Sequence, residues 1–225
     1  MTKVLVIFNQ KGGPGKTTMA MTLAGTMHNA GKKVLVIDSD KQGTGYKWET
    51  RPIEEYPQHP VPVKPLVGLT QAQYAANIGK LLRDGYDYII IDTPPDLDSP
   101  DLAHALLVAD KGLIPFEPNI IHQDALEEVQ VLLDEINAKR VKSGFAPLPV
   151  SLVINKLKPG RSAQKYLADS AAKASGFPVL AHISDLAPFE SASNFRTTLE
   201  AVCRPSDKAR RSMKDLANAV EEFLA

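Results

Sequence analysis

The sequence has few of the residues that build disulfide frameworks or cysteine metal clusters, and it has no long apolar run. Its one cysteine, Cys203, cannot form a disulfide or a cysteine cluster within a single chain, which suits a reducing cytoplasm. The apolar run at residues 4–8 is too short for a secretion signal, and no stretch approaches the roughly eighteen apolar residues of a membrane span. These shortages predict a cytoplasmic protein that is neither exported nor embedded in a membrane.

The chain also lacks a net charge, since 26 Lys and Arg balance 26 Asp and Glu. No global basic field therefore indicates a nucleic-acid-binding protein. The charges are unevenly distributed, however, because Lys and Arg outnumber Asp and Glu between residues 156 and 214. Such a basic stretch fits either a nucleic-acid-binding face or an ordinary solvated surface.

Apolar residues make up 44% of the 225 residues, which is ample for one core, and we expect residues 1–225 to form a single domain. Several short runs are rich in β-branched residues and show no apolar–polar alternation. Strands buried on both faces of a parallel sheet have this pattern. The predicted strands are residues 4–8, 34–37, 88–91, 113–116 and 150–154.

Segments with helical periodicity separate these strands. The first carries an apolar stripe after the first strand, and Gly31 is placed to end it. The later predicted helices are residues 71–83, 99–109, 123–140, 162–174 and 207–224. This alternation predicts an α/β fold, a doubly wound and mostly parallel sheet with helices on both faces. Residues 51–65 contain five prolines, so we expect an extended connection there with a short edge strand near residues 61–64.

A glycine-rich string, QKGGPGKTT at residues 10–18, directly follows the first predicted strand and leads into the first helix. Glycines let backbone N–H groups curl around phosphate oxygens, and the helix N-terminus adds a partial positive charge. Lys16 is placed to reach the β and γ phosphates, and the Thr17 hydroxyl is a suitable Mg²⁺ ligand. The expected nucleotide-binding residues are Gly12, Gly13, Gly15, Lys16, Thr17 and Thr18. The string therefore predicts a P-loop NTPase that binds ATP or ADP with Mg²⁺.

Carboxylates follow two of the predicted strands. Asp38 and Asp40 end the second strand, and Asp92 ends the apolar run before the string TPP. Because ligands of open α/β sheets bind at the carboxyl edge, we expect these side chains near the phosphates. We expect Thr17, Asp92 and Asp38 to hold Mg²⁺. Either aspartate of the second strand could instead cap a helix over residues 42–48.

Three further carboxylates lie close behind the run that ends at Asp92. They are Asp96, Asp98 and Asp101. A second metal site is one explanation for this cluster. A solvated loop with helix capping around Ser99 is the simpler explanation, and we prefer it.

The loop KGGPGKT resembles the deviant Walker A loop, KGGxGK[ST], of the ParA/MinD family of P-loop ATPases. The strings IDSD and IDTPP are similar to motifs of that family, although Lys41 replaces the proline that usually follows its second aspartate. The resemblance runs from residue 3 to about residue 199 and is weaker after the motif that contains Asp92. It also covers LIPFEP at residues 113–118 and ISDLAPFE at residues 183–190, which looks like the family's adenine-side loop.

The resemblance implies roles for particular residues. Lys11 would reach across an ATP-sandwich homodimer to the partner's nucleotide, Lys16 would contact the phosphates, and Asp40 would position the attacking water. The string SLVINK at residues 151–156 resembles the family's strand that ends in an asparagine, so Asn155 would contact the adenine edge. Two simpler explanations remain: Lys11 could precede a turn in solvent, and Asn155 could be a capping or turn residue.

Within the family the sequence is most similar to small ParA-type partition ATPases that lack an N-terminal helix-turn-helix domain. A single cysteine argues against an iron-protein reductase, and the acidic ending AVEEFLA argues against a membrane-cycling branch. The resemblance then implies nucleoid association, non-specific DNA binding in the ATP state and a centromere-binding, ParB-like stimulatory partner. The candidate DNA contacts are Arg161, Lys165, Arg196, Arg204, Lys208, Arg210, Arg211 and Lys214.

Two explanations of a different kind stay open. The basic residues could pack on the surface without contacting DNA. The chain could also be a P-loop enzyme of small-molecule metabolism, of the synthetase or kinase type, whose substrate pocket would need the proline-rich residues 51–65 as its lining.

Overall fold

The fold comes from a computed structural model that describes residues 1–10, 13, 15–118, 123–158 and 162–225, without the side chains of residues 123–125, 162, 163 and 165. The strands are β1 (Lys3–Ile7), β2 (Val34–Asp38), β3 (Val63–Pro65), β4 (Tyr88–Asp92), β5 (Lys111–Phe116), β6 (Val150–Leu157) and β7 (Val179–Ser184). The helices are α1 (Lys16–Asn29), α2 (Tyr46–Thr50), α3 (Gln71–Leu81), α4 (Pro100–Val108), α5 (Gln123–Lys142), α6 (Ser162–Ser175), α7 (Ala187–Phe195), α8 (Leu199–Val202) and α9 (Lys208–Leu224).

The strands form one sheet in the order β3-β2-β4-β1-β5-β6-β7, and every neighbouring pair is parallel. The predicted doubly wound α/β fold is confirmed. Strand β1 lies between β4 and β5, and the chain crosses to the other half of the sheet after β4. The switch point of the topology is therefore at β1, whose carboxyl end leads into the glycine-rich string.

Helices cover both faces of the sheet, and each face has its own apolar cluster. Strand β1 shows why its apolar run does not alternate with polar residues. Val4 and Val6 belong to the cluster beneath α3, α4 and α5, whereas Leu5 and Ile7 belong to the cluster beneath α1 and α9. Both faces of the strand are buried, so an apolar side chain is favoured at every position.

Helix α1 is more deeply buried than its single apolar stripe predicts. The stripe residues are buried as expected, but Met21, Thr22, Gly25 and Thr26 are buried as well. The reason is that α9 packs along α1 while α1 also packs on the sheet. Gly31, with a φ of 87°, follows the last turn as predicted, and its N–H donates to the carbonyl of His28.

Strand β7 and helix α7 were not predicted from the sequence, and the packing of β7 shows why its sequence pattern is weak. Strand β7 is at the sheet edge, and only one of its six residues, Ile183, is fully buried. Its pairing with β6 is interrupted by register shifts. A half-buried, irregular edge strand lacks the continuous apolar run that identifies the central strands.

The proline-rich residues 51–65 contribute the predicted edge strand, here β3. The Val63 N–H, which lies at this edge, donates to Oε2 of Glu49 at 2.7 Å, and Pro65 has no N–H to offer. These features discourage pairing with another chain. The preceding residues dock onto the end of α7, where the rings of Tyr56 and Phe195 stack with centroids 4.1 Å apart.

His59 is a buried residue of the same segment, and its hydrogen bonds fix a neutral ring. Its Nδ1 accepts from the Val61 N–H at 3.3 Å, so Nε2 carries the proton and donates to the carbonyl of Met21 at 3.0 Å. The ring also packs edge-on against Trp48. Burial lowers the pKa of His59 to about 4.

We predict that His59 makes the protein less stable in mild acid. The native ring protonates only near pH 4, whereas the unfolded chain protonates near its usual value of 6.5, so unfolding takes up a proton between these values. From about pH 7.5 to about pH 5 the free energy of unfolding should fall by about 2 kcal/mol through this group. Urea unfolding of the wild type and His59→Gln at both pH values measures the difference.

The matched control is His28→Gln, because His28 is exposed at the end of α1. This variant should keep the acid sensitivity of the wild type. The prediction is wrong if His59→Gln loses as much stability as the wild type over the same pH interval.

Candidate nucleotide-binding site

A cavity of about 620 Å³ opens at the carboxyl edge of the sheet, beside the switch point. Its walls come from the start of α1, the loops after β2, β4, β5 and β6, and helix α7. The lining residues that the sequence singled out for this site are Gly13, Gly15, Lys16, Thr17, Thr18, Asp40 and Asn155. The tertiary structure thus brings together residues that lie far apart in the sequence.

Gly15 is required at its position for two separate reasons. Its φ is 89°, in the left-handed region that residues with a Cβ rarely adopt. A Cβ there would also lie 2.9 Å from Nδ2 of Asn155. Gly15 directly precedes α1, so the positive end of the helix dipole faces the cavity. Lys11 and Gly12 lie outside the described residues, and their roles stay predictions.

Thr17 lines the cavity and is in direct contact with Asp92. The Thr17 hydroxyl donates to Oδ2 of Asp92 at 2.6 Å. Strand pairing fixes this contact, because Asp92 at the end of β4 lies beside Ile7 at the end of β1. The predicted convergence of the glycine-rich string and the second acidic motif is therefore present in the fold.

Burial changes the pKa values of the charged groups around the Thr17–Asp92 contact. Asp92 is only 1% exposed, and burial raises its pKa to about 7, opposed by the Thr17 hydrogen bond. Lys16 is also buried, which lowers the pKa of its ammonium, while Asp92 and Asp40 act in the opposite direction. Both groups would keep their charges more easily with a bound ligand that supplied charges of the opposite sign.

The residues present fit a magnesium ion. The second carboxylate oxygen of Asp92, Oδ1, is buried and accepts no hydrogen bond from the described residues. A buried acceptor without a donor is costly, and a hard cation or its water would satisfy it. Thr17 and Asp92 are therefore the residues that would hold Mg²⁺.

Asp38, at the end of β2, is hydrogen-bonded to the backbone that follows it. Its Oδ1 accepts from the backbone N–H of Asp40 at 3.0 Å, and its Oδ2 accepts from that of Tyr46 at 2.8 Å. Tyr46 is the first residue of α2, so Asp38 holds the start of that helix. Both oxygens of Asp38 thus accept backbone hydrogen bonds, while Asp38 lies beside Asp92 as its register partner in the sheet. Its role as a Mg²⁺ ligand stays a prediction.

Asp40 remains at the cavity, as the resemblance implied. One of its oxygens accepts from the backbone N–H of Gln42 at 2.9 Å, which forms a tight local turn. The side chain is half-buried and lines the cavity together with Lys16 and Thr17. Its role in positioning water stays a prediction.

Three residues of the cavity wall were not assigned a role from the sequence. Lys156 follows Asn155, and its ammonium lies 2.6 Å from the carbonyl oxygen of Gly13 and 3.8 Å from Oε2 of Glu117. Ser193 of α7 lies 3.5 Å from the hydroxyl of Thr18. The adenine-side segment at residues 183–190 does line the cavity, but much of it belongs to β7 and α7.

The carboxylates behind Asp92 have local partners. The Asp98 N–H donates to Oδ1 of Asp96, and buried Asp101 accepts from the Gly68 N–H. Ser99 occupies the position before α4 without a side-chain capping bond. Within the described part of the chain, no group of three or more His, Cys, Asp or Glu could hold a metal ion. A loop with local hydrogen bonds is therefore a better explanation than a second metal site, although the expected side-chain capping by Ser99 is not observed.

The candidate DNA contacts are divided between structural and exposed positions. Arg196 is half-buried and donates to the carbonyl of Arg51 at 2.7 Å, and Arg210 lies 3.8 Å from Glu200. The exposed candidates are Arg204, Lys208, Arg211 and Lys214. Arg161 lies outside the described residues, as does the side chain of Lys165. Three of these exposed candidates lie in the first two turns of α9, and Arg204 lies just before the helix.

No helix in the described ranges is long and apolar enough to cross a membrane. The proline-rich residues 51–65 contribute none of the described residues that line the cavity.

The sequence of residues 5–199 matches the family described as CobQ/CobB/MinD/ParA nucleotide binding domains, and the chain belongs to this family. The fold and the cavity thus belong to a nucleotide-binding domain. The resemblance of the glycine-rich string to the ParA/MinD loop is confirmed.

Two relatives illustrate the similarity to curated proteins. The chain is 32% identical over 145 residues to maintenance of carboxysome distribution protein A of Gloeobacter kilaueensis, covering 63% of this chain and 59% of the relative. It is 34% identical over 181 residues to chromosome partitioning protein ParA of Myxococcus xanthus, covering 64% and 61%. The chain therefore spans about 60% of the length of these curated relatives.

Solved structures show the same fold at low sequence identity. MinD of Pyrococcus horikoshii in complex with Mg-ADP superposes with a TM-score of 0.70 at 21% identity, over 99% of this chain and 97% of that one. Cobyrinic acid a,c-diamide synthase of Mycobacterium smegmatis, with bound ADP and magnesium, gives 0.79 at 17% identity, over 99% and 95%. At these identities the likeness concerns the fold.

We predict that Asp92→Asn stabilises the ligand-free protein while removing its response to Mg²⁺ and ATP. Because the native pKa of Asp92 is raised to about 7, its ionisation makes the folded protein less stable as pH rises from about 4 to about 7. An amide has no charge to bury, so the gain of the variant over the wild type should be larger near pH 8 than near pH 5, by about 2.5 kcal/mol. Urea unfolding at both pH values measures the gain, and melting with and without Mg²⁺ and ATP measures the response.

Asp98→Asn is the matched control, because Asp98 is exposed in the loop that follows. It should leave both the pH dependence and the ligand response unchanged. Equal stability of Asp92→Asn and wild type near pH 8 would contradict the electrostatic account of this site.

Proposed function

We propose that this protein is an ATPase of the ParA type that forms an ATP-sandwich dimer, binds DNA non-specifically and positions a DNA or protein cargo. The observation that carries the proposal is that Lys16, Thr17 and Asp40 line one cavity at the start of α1, where Thr17 is hydrogen-bonded to Asp92. Such an arrangement can bind a triphosphate, neutralise its charge and hold a water beside it.

Each described residue has a specific task in ATP hydrolysis. Water attacks the γ-phosphorus, the bond to the β–γ bridging oxygen breaks, and ADP and phosphate leave. The Lys16 ammonium offsets the charge of the β and γ phosphates from its buried position. Bound Mg²⁺ would supply further charge neutralisation, held by Thr17 and Asp92. Asp40, at the open side of the cavity, aligns the attacking water.

Dimerisation controls when ATP is hydrolysed. Lys11, in the KGGPGKT string, completes charge neutralisation at the nucleotide of the other subunit. Hydrolysis is then slow in the monomer and depends on pairing of two ATP-bound chains. A stimulatory partner of the ParB type would set the rate, as expected for a switch rather than for a metabolic enzyme.

The names of the relatives support the cargo-positioning class. One is a carboxysome distribution protein and the other a chromosome partitioning protein. The basic start of α9 supports the DNA-binding part, because Arg204, Lys208, Arg211 and Lys214 are exposed there. Individual phosphate contacts are weak and salt-sensitive, so DNA binding needs several of them, doubled by the dimer. A cytoplasmic location on the nucleoid follows from this activity.

The alternative of a small-molecule enzyme has less support. The fold is shared with a cobyrinic acid diamide synthase, but that likeness concerns the fold. The segment at residues 51–65, which would have to line a substrate pocket, packs against the end of α7 instead. The partition-type function is therefore the better proposal.

DNA binding that depends on ATP tests the proposal most directly. We predict that wild type with Mg²⁺ and ATP is retained on random-sequence DNA at low salt, and that retention falls at least tenfold with ADP or without nucleotide. Lys16→Ala should lose nucleotide binding and DNA retention together. Asp40→Ala should bind ATP, hydrolyse it at least about tenfold more slowly and remain on DNA as a dimer.

Asp98→Ala serves as the control variant, since it removes an exposed carboxylate outside the cavity. It should behave as the wild type in ATP hydrolysis, dimerisation and DNA retention. Hydrolysis by Asp40→Ala at the wild-type rate would remove the assigned role of Asp40. Equal retention on DNA with and without ATP would contradict the proposal that ATP controls DNA binding.

A further inference from the structure

Lys156 has a backbone conformation that its residue type does not favour. Its φ is 54°, and it is one of only two non-glycine residues with a positive φ in the described part of the chain. Glycine and asparagine adopt this left-handed region more easily than lysine, so the conformation costs stability. Strain of this kind persists where the surrounding structure holds it, and it often occurs at functional sites.

The side chain of Lys156 makes a specific contact with the glycine-rich loop. Its ammonium donates to the carbonyl oxygen of Gly13 at 2.6 Å. Glu117, at the end of β5, lies 3.8 Å away on the other side and contributes an opposite charge. All three residues line the nucleotide cavity. The contact therefore links the end of β6 to the loop that precedes α1.

We propose that Lys156 is a positioning residue for phosphate binding, which holds the Gly13 peptide in the orientation that the loop needs. This inference rests on the proposed function, in which the loop receives the phosphates of ATP. Lys156 acts through the Gly13 carbonyl and within its own subunit.

The physical reason lies in the polarity of a phosphate-binding loop. Backbone N–H groups must face the anion, and each carbonyl oxygen that turned toward it would repel it. A charge-assisted hydrogen bond to the Gly13 carbonyl gives that oxygen a strong partner elsewhere. Gly13 has a φ of 99°, which glycine adopts more easily than other residues, and the Lys156 contact holds its carbonyl in one orientation.

The backbone strain makes the inference testable by substitution. Lys156→Gly and Lys156→Asn both remove the ammonium and both suit a φ of 54°. Their melting temperatures should equal or exceed that of the wild type, while the dissociation constant for a fluorescent ATP analogue with Mg²⁺ rises about tenfold or more. A lysine with a purely structural role would change stability and affinity in the same direction.

Two further variants separate the loop contact from other effects. Lys156→Met removes the ammonium but keeps the strain, so it should lose the same affinity and melt below Lys156→Gly. Lys173→Met removes an equal charge at an exposed position of α6 that does not line the cavity, so it should change the dissociation constant less than threefold.

The outcomes distinguish this inference from the proposed function. If the wild type binds the ATP analogue and Lys156→Gly binds it within threefold of the wild type, the inference is overturned and the proposed function stands. A loss of affinity in Lys173→Met as large as in Lys156→Gly would also overturn it, because the effect would then come from the net charge of the protein. Failure of the wild type to bind the analogue would overturn the proposed function itself.

Discussion

The contact between Thr17 and Asp92 is the constraint on which the site depends. It joins the first turn of α1 to the end of β4, across 75 residues of sequence, through one hydrogen bond of 2.6 Å. The parallel pairing of β1 with β4 sets it, because Ile7 and Asp92 are register partners at the carboxyl edge of the sheet. The remaining features of the cavity are arranged around this fixed point.

Burial of the Asp92 carboxylate costs free energy that its contacts with the described residues do not offset. Its carboxylate is 1% exposed, its pKa is raised to about 7, and one oxygen accepts no hydrogen bond from the described residues. Lys16 is also buried, and burial lowers the pKa of its ammonium. A magnesium nucleotide would relieve both, since it brings a cation to the carboxylate and anionic oxygens to the ammonium. The site is therefore preorganised for its ligand at the expense of stability.

The sequence predicted the centre of the fold better than its edges. Strands such as β1 and β4 are buried on both faces, and their continuous apolar runs are strong signals. Strand β7 was missed because an edge strand with one fully buried residue has no such pattern. Helix α7, which follows it, was also not predicted. Asp38 shows a different kind of limit. Its position at the end of β2 was predicted, but its hydrogen bonds to the loop and to Tyr46 of α2 depend on a chain path that periodicity does not encode.

The sequence by itself determined the class of fold, the phosphate-binding string and the acidic motifs at the strand ends. It could do so because glycine at a positive φ, a lysine at a helix start and carboxylates after apolar runs act through local geometry. Only the tertiary structure decided which other groups meet: the Lys156 ammonium with the Gly13 carbonyl, Asp38 with the Tyr46 N–H, and α7 with the cavity. These contacts depend on strand order and on the path of the connections, and no short-range pattern records either.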